Sequence, residues 1–95
     1  MAGFAVLLGA FILPAAAAAQ RSVRVLRQGM RGPAVRDLQR ELTEAGFIVH
    51  RSGIFDTATV RVVRSFERRY HLAVDGVAGP RFMRALRTIR AYDLA

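Results

Sequence analysis

The chain has 95 residues and a net charge of +8, with 15 basic residues, all arginine, against 7 acidic ones, and it has no cysteine. That length allows one small domain with a thin stability margin, and the missing thiols exclude disulfides and thiolate metal sites. The charge predicts an anionic partner or an anionic setting such as nucleic acid, phospholipid or a wall polymer.

Chemistry of the chain's own is not expected. His50 and His71 sit in no metal-ligand spacing, and Ser22, Ser52 and Ser65 lack the neighbours of an activated nucleophile. No catalytic residue, no metal and no cofactor is therefore predicted. With no staple available, stability has to come from packed helices.

Residues 1–19 are expected to be a signal segment. Phe4, Val6, Leu7, Leu8, Phe11, Ile12 and Leu13 form an apolar run, Pro14 breaks it, and Ala15 to Ala19 supply small residues before Gln20. That order suits an exported protein cleaved after Ala19, with residues 20–95 as the mature domain. The run is short for a bilayer span. No basic residue precedes it, while Arg21, Arg24, Arg27 and Arg31 follow it. Either the true start lies upstream or the segment is an uncleaved anchor, and only an anchor would bring the domain to a membrane.

After Gln20 one phrase recurs three times: Gly29-Met30-Arg31-Gly32-Pro33, Gly53-Ile54-Phe55-Asp56-Thr57 and Gly76-Val77-Ala78-Gly79-Pro80. Each is a glycine, two residues, a helix-capping residue and a residue suited to the first helical position. An extended lead-in over Val23, Val25 and Leu26 comes before them. The spacing predicts helices over Pro33 to Ala45, Thr57 to Tyr70 and Pro80 to Arg90. Their apolar faces are Val35, Leu38, Leu42 and Ala45; Val60, Val63, Phe66 and Tyr70; and Phe82, Met83, Leu86 and Ile89. Gly46 is a natural stop for the first helix, with Phe47 folding back. Ile48, Val49, Leu72 and Val74 are expected to fill the connections. Helices this short are marginal alone, so they must share a core as an all-α, compact three-helix bundle.

These motifs resemble the peptidoglycan-binding domain found at the ends of many cell-wall hydrolases. Leu26 to Val35 is similar to its opening, and Leu38-Gln39-Arg40-Glu41-Leu42 with Ala45-Gly46-Phe47 to its first helix and exit. Gly53-Ile54-Phe55, Thr59, Val63 and Phe66 resemble its second repeat, and Leu72 to Pro80 its most recognisable stretch. The resemblance runs from Val25 to about Leu86. It implies a three-helix fold, binding of wall polymer without catalysis, and a place in the periplasm or cell wall. Ser52, Asp56, Glu67 and Phe82-Met83 depart from the family pattern, which commonly has aspartate, glycine, glutamine and Thr-Trp there.

Peptidoglycan offers glycan hydroxyls and N-acetyl groups, and carboxylates on its stem peptides. Arginine forks carboxylates, and glutamine both donates and accepts. The candidate ligand-binding residues are therefore Gln28, Arg31, Arg36, Gln39 and Asp75, although Asp75 could simply tie its own turn before Gly76. Phe55 and Tyr92 are the candidate sugar platforms. Arg61, Arg64, Arg68 and Arg69 on the second helix, and Arg81, Arg84, Arg87 and Arg90 on the third, form an electropositive or merely solvated surface. His71 is expected at the end of the second helix. The expected partner is peptidoglycan, with a cell-wall hydrolase as a second candidate. Two alternatives are a basic three-helix nucleic-acid-binding protein and an envelope scaffold that regulates a wall hydrolase.

Overall fold

The structure, a computed structural model, describes residues 25–94. The expected signal segment, its cleavage point before Gln20 and the start of the lead-in at Val23 lie outside the described residues. Three helices follow in chain order: α1 (Pro33–Glu44), α2 (Thr57–Arg69) and α3 (Pro80–Leu94). Each begins where the repeated phrase ends. Gly32 caps α1 at φ 127°, a conformation that favours glycine, and Pro33 takes the position where an N–H would lack a partner. Asp56 caps α2 through its side chain, whose Oδ1 accepts from the Thr59 N–H and the Thr59 hydroxyl, each at 2.9 Å. Those bonds hold the Asp56 carboxyl below the usual carboxylate range.

The helix ends share a second device. At the end of α1 the Gly46 N–H donates to Thr43 O at 3.0 Å and the Phe47 N–H to Leu42 O at 2.9 Å. At the end of α2 the His71 N–H donates to Arg68 O at 3.4 Å and the Leu72 N–H to Glu67 O at 2.8 Å. Both are the paired-bond stop that needs a left-handed residue. Gly46 supplies it at φ 96°, while His71 supplies it at φ 58° despite carrying a side chain. The third helix, α3, runs past the expected Arg90 to Leu94.

The segments between helices are tied by two isolated antiparallel bridges, Leu26 with Ala78 and Arg31 with Ile54. Leu26 and Ala78 exchange both backbone bonds, at 3.0 and 2.9 Å. Gly32 N–H donates to Gly53 O at 2.8 Å and Phe55 N–H to Met30 O at 2.9 Å, which closes the α1–α2 connection against the lead-in. Among the described residues there is no longer strand, so the all-α expectation holds.

The core comprises Val35, Leu38, Leu42, Val63, Phe66, Phe82 and Leu86 from the helices, and Leu26, Phe55 and Ala78 from the bridged segments. Phe66 is its centre, with the rings of Phe47, Tyr70 and Phe82 tilted against it at centroid distances of 5.5, 4.6 and 4.8 Å. Such pairs are worth about 0.5–1.5 kcal/mol each beyond their burial. Two expectations are corrected here. Phe55 is fully buried between the lead-in and α2, so it cannot be a sugar platform. Ile48 and Val74, 95% and 48% exposed, do not fill their connections, while Val49 and Leu72 are half-buried.

α1 packs directly against α3. Arg90 closes that contact, pairing with Glu41 at 3.3 Å and with Glu44. Arg90 thus leaves the arginine ribbon predicted for α3, whereas Arg81, Arg84 and Arg87 stay exposed.

Candidate functional site

Two clefts open on this frame. The first, of about 450 Å³, lies where the start of α1 meets the bridged segment before α2, and its walls include Arg31, Arg36, Asp37 and Ile54. Its floor is Gly53, and the floor is fixed from behind by Gln39. That side chain is fully buried. Its Nε2 donates to Ile54 O and to Thr59 Oγ1, both at 3.0 Å, and its Oε1 accepts the Gly53 N–H at 2.8 Å. A Cβ on Gly53 would sit 3.4 Å from Nε and Nη2 of Arg36, so that guanidinium lies against the bare glycine. Among the described residues neither Arg31 nor Arg36 has a carboxylate partner, and Asp37 pairs instead with Arg40 at 3.6 Å.

The second cleft, of about 570 Å³, lies between the end of α2 and the start of α3, and Glu67, His71, Asp75, Arg81 and Arg84 line it. Its geometry repeats the first. Glu67, 2% exposed, accepts the Gly76 N–H at 2.9 Å. A Cβ on Gly76 would meet Arg64 Nε at 3.1 Å, much as one on Gly53 would meet Arg36. Burial pushes the Glu67 carboxyl up to about 7, and its hydrogen bond to the Asp75 carboxylate adds to the rise. The same bond, with the Val77 N–H on Asp75 Oδ1 at 2.9 Å, holds Asp75 below the usual carboxylate range.

The order of these features along the chain is that of a known family. The family model described as "Putative peptidoglycan binding domain" matches residues 31–86. The chain belongs to the peptidoglycan-binding domain family. An N-acetylmuramoyl-L-alanine amidase of Bacillus licheniformis is 34% identical over 70 residues, which is 70% of this chain and 19% of the amidase. A peptidoglycan-binding protein from Clostridioides difficile, solved with glutamine hydroxamate, superposes with a TM-score of 0.69 at 32% identity, over 75% of this chain and 46% of that one. The SleB N-terminal domain gives 0.67 at 31% identity, over 70% of this chain and 93% of that one.

In this peptidoglycan-binding domain the five predicted ligand residues do not form one cluster. Arg31 and Arg36 share the first cleft. Asp75 lies in the second, where it does tie its own turn. Gln28 is exposed outside both, with its amide 3.4 Å from Thr57 Oγ1. Gln39 is a correction. It is buried with its polar atoms engaged, so it shapes the cleft from behind and does not present to a ligand. Glu67 and Thr59, which sequence reasoning passed over as site-building residues, are buried polar side chains of the same kind. A signal for all three was present. Gln39 follows Val35 by one helical turn, and Thr59 and Glu67 lie one turn either side of Val63, on the buried stripe. Among the described residues no cluster of histidine, aspartate and glutamate could hold a metal ion. None of the helices there is long and apolar enough to cross a membrane.

Proposed function

We propose that this peptidoglycan-binding domain attaches to the bacterial wall through the first cleft, with Arg31 and Arg36 as its principal contacts, and performs no chemistry on what it holds. One observation carries the reading: two exposed guanidiniums stand over a floor locked by Gln39, and among the described residues neither is paired with a carboxylate. A built cleft with that charge suits an anionic group on a polymer. The apolar, alanine-ended segment before Gln20 supports export to the periplasm or cell wall. The chain's likeness to part of a wall amidase supports service beside a wall hydrolase.

The test is cosedimentation of the purified chain with insoluble sacculi. Retention is expected, and Arg31→Ala or Arg36→Ala should each weaken it about tenfold, the size of one charge-assisted contact. Both side chains are exposed, so circular dichroism should not change. The exposed arginines of α2 and α3 keep nucleic acid as a second reading. Retention on duplex DNA at physiological salt, without retention on sacculi, would reverse the choice.

A further inference from the structure

We infer that the first cleft reads the carboxylates of the peptide stems and not the sugars of the glycan strand. This rests on the reading above, that the cleft is where peptidoglycan binds. The argument starts from charge. In the strand the N-acetyl sugars are neutral, and the lactyl carboxyl of the muramyl residue is consumed in its amide to the stem. The stems carry the free carboxylates, and a planar guanidinium fork matches a carboxylate in shape as well as sign. Arg31 and Arg36 stand ready for such a group, because nearby carboxylates of the domain are engaged elsewhere. Asp37 pairs with Arg40, and Glu41 and Glu44 pair with Arg90.

The rest of the wall agrees. Ile54, 41% exposed, gives the cleft an apolar patch suited to the methyl groups of alanine residues. What a sugar would need is missing. Sugar rings are commonly held by an aromatic face, and among the described residues no aromatic lines the first cleft. Phe55, Phe66 and Phe82 are in the core, and Phe47 and Tyr70 pack on Phe66. Tyr92, 78% exposed, sits near the end of α3 and lines neither cleft. The second cleft is the weaker carboxylate site, because Arg81 and Arg84 there share the wall with two acidic side chains, Glu67 and Asp75, against Asp37 alone in the first.

The deciding experiment titrates the purified chain with four probes: intact sacculi, the free stem peptide, that peptide with its carboxylates amidated, and glycan strands stripped of stems by amidase digestion, their freed lactyl carboxyls then capped as amides. Sacculi and free peptide should bind, amidation should weaken the peptide at least tenfold, and stripped glycan should stay in solution. Arg31→Gln and Arg36→Gln should each weaken the free peptide about tenfold with unchanged circular dichroism. If stripped glycan binds as well as intact sacculi, or amidation changes nothing, the peptide assignment is overturned and wall binding stands. If sacculi themselves are not retained, both fall.

Discussion

In the first half of the domain a buried amide, Gln39, receives the N–H of the left-handed Gly53; in the second half a buried carboxyl, Glu67, receives that of Gly76. An arginine lies against each glycine, Arg36 in one case and Arg64 in the other. The joints are alike in shape and unlike in chemistry. An amide is neutral at every pH and carries its own donors, which Gln39 spends on Ile54 and Thr59. A carboxyl has a donor only while it keeps its proton. Glu67 keeps one up to about pH 7 and donates it to Asp75; above that, a buried carboxylate faces a second, exposed one. One loop is therefore locked regardless of acidity, and the other is not.

The largest way to break the comparison is at the amide. Gln39→Ala would leave Gly53 N–H and Ile54 O without buried partners, at a cost of about 3–5 kcal/mol. For a domain this small that is much of its stability, and urea unfolding followed by circular dichroism would measure it. Glu67→Gln should make the two joints equivalent. The folded value for Glu67 is raised, so its contribution is full below its ordinary value of 4.5 and is lost as pH rises through about 7. Asp75 runs the other way, losing its contribution only as pH falls below the ordinary carboxylate range. The natural chain should thus lose on the order of 2 kcal/mol between mildly acid and mildly alkaline buffer. The Glu67→Gln chain should hold its stability across that window. Equal slopes in thermal melts of the two would refute the account.

A smaller contrast separates the two helix stops. Gly46→Ala should cost about 1 kcal/mol, because the added Cβ has open space around it but the wrong backbone. His71→Gly should gain about 0.5–1 kcal/mol at the matching position, the relief of left-handed strain exceeding the entropy that glycine loses on folding. Chemical denaturation resolves both.

The helix starts and the first stop were legible in the sequence because they are local. Gly32-Pro33, Asp56-Thr57 and Gly79-Pro80 fix their own backbones, and Gly46 ends α1 by its own conformation. His71 was expected at a helix end, though not that it would take a left-handed backbone there. That Arg31 and Arg36 come together in the first cleft was legible because they flank one of those starts. Gln39 and Phe55 were misjudged because their burial depends on partners far along the chain: Gly53, Ile54 and Thr59 for Gln39, and Gly29 and Met30 for Phe55. Residue type favoured the surface for Gln39, and only its place one turn from Val35 argued otherwise. Glu67 looked like a departure in a family pattern, and its meaning needed the distance to Gly76.

The reciprocal bonds between Leu26 and Ala78 have a bearing on how the polypeptide is made. They join Leu26, ahead of α1, to Ala78, just ahead of α3, so the ring they close is shut only after both α1 and α2 have been made. Until then Phe66 lacks Phe82, and the α1 side of the core has no α3 to cover it. A nascent chain in that condition stays open, and the synthesis of α3 is what commits the domain to its shape.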